Sequence, residues 1–480
     1  MIEPIPLAPM QQSGLEVLAG ASPAAFNLVA DRAGSVRRRP GIKAHAGVPS
    51  GVVDAAGLDV LHVASGGGFY AVGGQSGGRT IYKIGTTATA FSGADAELAG
   101  TAARVTVAET EAMLVMSAGT QTQKVVFATE DSSRLGGSPP HATHVIAHGG
   151  RVLSNNLIEG NDRVDYSGVA TGSSITGHQQ WGGAGTSSFF NAKGRPDPVR
   201  AVHENTNEVF LFGSTSMQIF SPDATDVYVP SATREYGCIA PYSVVKDDDS
   251  FAWLDDRRRF IKSDGREYDD KFGADIQQTI DDMATVSDCF GYRTHMGPVD
   301  ALVWTLPTDT RTFVHQDGFG WSQWSGWDDT TNNWKRFMVN CAHQRPDTGV
   351  NVCGTTAGKI GEFHATTYTD LGDRIVARVD TGYLNRKTDK RKFCRAVYLS
   401  LKRGEVTGTT APQASVSWRD DGGEWRDSVP VSLGVSGDRE IVYPLRSLGV
   451  YRRRQWRFEF SGPEELVLVS ASEDFEVLAD

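Results

Sequence analysis

The sequence predicts an all-β chain: a β-propeller of about seven blades, an extended N-terminal arm before it and a C-terminal β-sandwich after it. Three observations carry this. Short alternating apolar segments recur in sets every ~40–55 residues, the period of a propeller blade. Glycine supplies 53 of 480 residues, where an average chain carries about 7%; the excess suits a chain that reverses often and needs positive φ at its turns. A helical period occurs in one short stretch alone.

The sets run in order. Residues 60–63, 69–72 and 80–84 form the first, separated by glycine and serine clusters, as three strands of a meander. The next four lie at 105–107, 113–116 and 124–127; 144–146, 151–153 and 163–166; 199–202, 208–212 and 217–220; and 243–245, 251–254 and 259–262. Two more follow around 301–315 and 337–364. Each blade buries its faces only against its neighbours, so a ring of them must close to be stable. Stacked sandwiches are the rival all-β reading, and irregular spacing leaves six or eight blades open.

Ile276, Ile280 and Met283 stand at i, i+4 and i+7, one face of a helix. Asp275 and Gln278 have the spacing of a capping box before it. The long Gly/Ser/Thr-rich stretch 167–195 reads as a loop, and loops of that length are functional or disordered. Residues 1–45 read as the arm, Pro-rich with a basic knot at Arg37-Arg38-Arg39. The propeller is expected over 46–370 and the sandwich over 371–480, where charge rises and strands such as 415–418 and 455–460 appear.

The chain carries a net charge of −11, the opposite of the basic balance a nucleic-acid grip requires. The first residues, Met1-Ile2-Glu3-Pro4-Ile5-Pro6, lack the basic and apolar regions of a signal peptide. No apolar run approaches the ~18 residues of a membrane span, so synthesis in a reducing cytoplasm is expected. The five cysteines, Cys238, Cys289, Cys341, Cys353 and Cys394, include no CxxC and read as buried free thiols.

Candidate chemistry is sparse. His141, His144 and His148 cluster in sequence without a nearby carboxylate or cysteine, and read as surface and turn histidines; no metal and no cofactor are expected. Asp420-Asp421-Gly422-Gly423-Glu424-Trp425 contains Asp-x-Gly-x-x-Trp, the core of the Asp-box hairpin of sialidase propellers, and reads as a folding turn. Trp321, Trp324, Trp327 and Trp334 read as fillers between sheets, with sugar stacking as the other use. A glycosidase needs two carboxylates about 5–9.5 Å apart, and acid pairs are too widespread to single one out. No G-x-S-x-G, H-E-x-x-H or P-loop occurs, so no catalytic residue is named and no enzyme is expected. Asp247-Asp248-Asp249 reads as a hairpin turn. Arg257-Arg258-Arg259 and Arg452-Arg453-Arg454 are the candidate subunit or partner interface, because the planar guanidinium fork pairs with carboxylates across surfaces. Phosphate binding is another use of each, and a solvated, self-repelling turn is the alternative.

Several stretches together resemble a known family. They are Gly194-Arg195-Pro196-Asp197-Pro198-Val199, Glu208 to Gly213 leading to Met217-Gln218-Ile219-Phe220, and Arg234-Glu235-Tyr236-Gly237 followed by Phe251-Ala252-Trp253-Leu254. Ser447-Leu448-Gly449-Val450-Tyr451-Arg452-Arg453-Arg454 with Trp456-Arg457-Phe458 is the most distinctive, and Arg38-Arg39-Pro40-Gly41 adds to it. The chain resembles the packaged-DNA stabilisation proteins of short-tailed bacteriophages, also called tail hub or nozzle proteins. The resemblance implies a virion protein, a homohexameric ring below the portal and adaptor. That ring would continue the DNA channel, help retain the packaged genome without reading its sequence, and dock spikes, fibres or a plug. A tail-associated glycan-binding or glycan-hydrolysing propeller is the alternative function.

Overall fold

The computed structural model describes residues 1–7, 23–30, 36–74, 78–93, 95–99, 103–160, 162–170, 172–182, 188–223, 228–296, 299–403, 414–431, 433, 440–462 and 464–479. Six continuous four-stranded antiparallel meanders follow one another from Leu58 to Gln323. The set expected at 337–364 supplies only three strands, Val339–Gln344, Asn351–Thr355 and Ile360–His364. The fourth strand of that sheet is Gly41–Ala44, from the other end of the propeller, paired antiparallel with Ile360–His364. The ring is thus closed by a composite sheet built from both ends of the propeller segment.

Period-2 alternation explains the blades. In Val209–Gly213, Val209 and Leu211 pack toward the preceding blade with Leu153 and Val164. Phe210 and Phe212 point the other way, onto Phe251 and Trp253 of the next. Met113–Ser117 does the same, with Leu114 and Met116 against Tyr70 and Val72 and Met113 and Val115 against Val145 and Val152. A strand buried on both faces reads as an unbroken apolar run, and each such side chain contributes about 1.5–3 kcal/mol by leaving water. The last interface joins Cys341, Val352 and Ile360 of the composite sheet to Leu58, Leu61 and Phe69 of the first blade.

The described strands of the expected N-terminal arm pair with both parts of the body. Ala24–Phe26 pairs with Ala377–Asp380 and, through Phe26 opposite Gln323, with the sixth blade. Leu28–Ala30 and Val36–Arg38 join the sheet that contains Leu466–Val477, as does Ile2–Pro4. A sandwich of two sheets results. One is built on Lys392–Arg403 and Leu466–Val477, and the other on Ala377–Asp380, Arg454–Phe460 and Ala414–Asp420. Its core is continuous with that of the fifth and sixth blades: Val397, Trp456 and Phe458 belong to the same cluster as Leu254, Trp304 and Trp321.

The junction between the two parts holds buried polar groups with their partners in place. Asn27, at φ 54, donates from Nδ2 to the carbonyls of Ser325 (2.8 Å) and Val376 (2.7 Å). Its Oδ1 accepts from the Ser325 N–H and from Arg39 Nε, both at 2.9 Å. Arg39 forks onto Asp370 at 2.9 and 2.5 Å, with side-chain exposures of 0% and 3%, and lies 4.7 Å from the Phe337 ring centroid. Gly41 follows after Pro40. A Cβ there would sit 2.2 Å from the Thr369 carbonyl oxygen, so only glycine allows the parallel pairing of Asp370 with Ile42.

Two other expectations change. Ile276, Ile280 and Met283 are buried as the helical spacing required, but the α-helix spans only Gln277–Asp281 after a 3₁₀ turn Ala274–Ile276. Asp275 therefore lies inside the turn, and Ile276 stands at the helix N-cap. In the stretch 167–195, residues 171 and 183–187 lie outside the described residues. Ser188–Asn191 is not loop but the outer strand of the third blade, paired with Arg163–Tyr166.

Candidate functional site

A cavity of about 760 Å³ lies where the innermost strands of the meanders and of the composite sheet converge. Each contributes wall residues, among them Asp59, His62, Arg104, His144, His203, Arg293 and His343. Charges in the wall are already spent on one another. Arg104 reaches Asp59 at 3.1 Å and lies 3.7 Å from the Phe290 centroid; Lys246 meets Glu204 at 3.1 Å; Arg293 meets Asp248 at 2.6 Å.

The imidazoles are the unexpected feature. His144, expected at the surface, is buried and stacks on Tyr242 with centroids 5.0 Å apart. Burial pushes its pKa down to about 4. Burial and the neighbouring His144 push His203 down to about 3. Burial and His62 push His343 down to about 4. His148 is also buried, against Tyr228 Oη at 2.9 Å. Sequence alone missed this because a lone histidine beside a strand has no pattern that distinguishes a turn from a ring axis. Beside His343, with ring centroids 4.5 Å apart, His62 turns its Nε2 to Glu109 at 2.7 Å. Burial raises Glu109, but hydrogen bonds from His62 and Ser65 outweigh it and hold the carboxyl down at about 2. The cavity is lined by neutral imidazoles and paired charges. Among the described residues no group of three His, Cys, Asp or Glu side chains is placed to hold a metal. Cys341 lines the wall as a thiol, pushed up to about 12 by burial; all five cysteines are buried and free.

The two arginine turns do not behave as units. Arg257 is exposed. Arg258, at φ 62, donates to the carbonyls of Ile280 (2.8 Å) and Met283 (2.5 Å), closing the short helix onto the fifth blade. Arg259 forks onto Asp255 at 2.9 and 2.6 Å. Arg452 is exposed, and Arg453 lies 5.0 Å from the Tyr383 centroid. Arg454, expected at a surface, is buried at 0% side-chain exposure. The burial is sustained by Asp420 at 2.6 and 3.0 Å, the Leu448 carbonyl at 2.7 Å and the Tyr451 ring at 4.2 Å. Asp421 accepts the backbone N–H of Arg453 at 2.8 Å, so the Asp-box segment works as a turn that shapes this corner. Asp197 is likewise a fold residue, accepting the N–H groups of Ser214, Thr215 and Ser216 at 2.7–2.9 Å. Trp321 and Trp324 are buried fillers, and Trp334 stacks on Phe26 at 4.5 Å.

Fold and cavity define the class: a ring-closed, nearly all-β propeller fused to a β-sandwich. Residues 184–262 match the family described as "Bacteriophage P22 Gp10, beta-propeller". The matched span is well under half of the chain and covers the fourth blade and the first strands of the fifth. No curated protein sequence matches. Among solved structures, Kluyveromyces lactis Hsv2 is similar at 12% identity and a TM-score of 0.34, over 58% of this chain and 82% of that one. An auxiliary nutrient binding protein from Bacteroides thetaiotaomicron is similar at 8% identity and a TM-score of 0.37, over 66% of this chain and 70% of that one. At TM-scores this low neither likeness bears on function. Among the described residues no helix is long and apolar enough to cross a membrane.

Proposed function

We propose that this chain is a structural subunit of a short-tailed bacteriophage tail, a hub or nozzle protein that acts by assembly and not by turnover. One observation carries the reading. The phage family match at 184–262 falls on some of the stretches that give the sequence its resemblance to packaged-DNA stabilisation proteins, those from Gly194 through Leu254. In this reading six copies form a ring in the virion below the portal and adaptor. The ring continues the DNA channel, helps retain the genome and docks spikes, fibres or a plug.

The chemistry is consistent with that role. A conduit through which DNA must pass should offer few free cations to phosphate, because each contact strengthens binding through counterion release. The chain is net −11, and most of the arginines described above are tied to carboxylates, carbonyls or rings. The test is negative-stain imaging of the purified protein mixed with its portal–adaptor complex. A ring capping the adaptor is expected. Failure to associate, or hydrolysis of host surface polysaccharide abolished by one Asp or Glu substitution, refutes the reading.

A further inference from the structure

We infer that the outer face of the C-terminal sandwich is a docking plate for an acidic surface of a second copy of this chain. This inference rests on the ring reading above and names the surface that would build the ring.

The plate is a continuous stack of alternating guanidinium and aromatic groups. Arg453 lies 5.0 Å from the Tyr383 centroid, and Arg419 lies 5.2 Å from the same ring. Arg419 is also 5.0 Å from Trp425, and Arg457 is 3.8 Å from Trp425. The stack crosses the strands Ala414–Asp420 and Arg454–Phe460, where Arg419 is opposite Gln455 and Ser417 opposite Arg457. Tyr383 and Trp425 are half-buried, and residues 426–428 beside Trp425 are exposed. Cation–π spacing of this kind holds flat groups in place before any partner arrives. Aromatic and arginine side chains so ordered are the residues that dominate protein interfaces.

Carboxylates set the kind of partner. Asp380 takes the fork of Arg457 at 2.9 Å on both oxygens, and that of Arg378 at 2.9 and 2.6 Å. Asp420 and Asp421 stand at the other end of the stack. A run of phosphates would meet these anions and find few cations to neutralise it. A carboxylate or two, arriving in register, would meet Arg419, whose Nε is held by Gln455 at 2.5 Å. The chain itself supplies such carboxylates. It is net −11, and Asp317 stands out on a propeller turn at 79% side-chain exposure. Sandwich and propeller turns are different surfaces, so the contact is head-to-tail, the type that closes into a ring when its rotation permits.

Sedimentation of the full-length protein tests this, with Arg419→Gln and Trp425→Ala compared with the unaltered chain. Circular dichroism and thermal melts of each variant confirm folding. Self-association is expected to weaken at least about tenfold in each variant, and to weaken in the unaltered chain as salt rises. Variants that assemble like the unaltered chain overturn the inference and leave the ring reading standing. So does a variant that assembles normally but loses affinity for duplex DNA, which would send the plate to phosphate. An unaltered chain that stays monomeric at every concentration also overturns it, while imaging with the portal–adaptor complex judges the hub reading separately.

Discussion

The propeller–sandwich junction and the axial cavity both bury polar side chains, yet they solve the problem in opposite ways. At the junction the polar groups are paired: Arg39 and Asp370 face each other in a two-bond fork, and Asn27 has a partner for its side-chain oxygen and both amide hydrogens. In the cavity the groups give up their charge, with His144, His203 and His343 neutral because burial penalises the imidazolium. A buried pair of fixed geometry is intolerant of losing one member. A buried neutral base tolerates its neighbours but couples folding to protons. The propeller should therefore yield to acid and the junction to mutation.

The largest expected effect is the acid one. For the three imidazoles the folded pKa lies below the unfolded value of 6.5. The unfolded chain thus binds protons that the folded chain refuses, and stability falls as pH drops from about 6.5 toward 4. Between pH 7 and 5 the loss should be on the order of 5 kcal/mol, at about 1.4 kcal/mol per pH unit for each group once below the unfolded pKa. Glu109 adds a second, more acidic step: its folded pKa is depressed, so its contribution is present above about 4.5 and lost toward 2. Urea melts across pH would show this, and His203→Phe should flatten the first step. A melt midpoint unchanged from pH 7 to 5 would contradict neutral burial.

Next is the junction. Arg39→Met leaves the Asp370 carboxylate buried without its partner and should destabilise by about 3–5 kcal/mol, whereas Arg39→Met with Asp370→Leu should recover most of that. Equal losses in the single and double variants would show that the pair's packing, not its charge, matters. Asn27→Ala should cost about 2–3 kcal/mol, since it strands buried carbonyls and N–H groups and places a Cβ residue at positive φ without the local bonds that favour asparagine. The smallest effect is expected at the exposed corner. Asp421→Ala removes acceptors from the N–H groups of Arg452 and Arg453 and should cost about 0.5–1.5 kcal/mol. A loss as large as that of Arg39→Met would mean that this turn helps hold the sandwich together.

The same contrast separates what was legible from what was not. Blade strands such as Val209–Gly213 and Met113–Ser117 could be read because their alternation is local and both faces are apolar. The family resemblance at Gly194 to Leu254 was legible for the same reason, being written in contiguous residues. Arg454 was misread because its partner Asp420 is 34 residues away, and an unpaired guanidinium on an apolar face looks forbidden until that carboxylate is found. The Tyr383, Arg419, Trp425 and Arg457 stack left no signal, since its members come from separate segments.

By itself, then, the sequence determined that the chain is β-structured, repeats in blade-sized sets and carries a strand-rich C-terminal part. Periodicity, turn glycines and apolar alternation act over a few residues and need no distant partner. Tertiary structure alone decided that Gly41–Ala44 closes the ring, that Ala24–Phe26, Leu28–Ala30 and Val36–Arg38 join propeller to sandwich, and that His144 and His203 of adjacent blades meet edge-on with ring centroids 6.0 Å apart. Those outcomes depend on which distant backbone edge or buried face a segment meets. The free energy of that meeting comes from desolvation and pairing between residues hundreds of positions apart, about which no local pattern carries information.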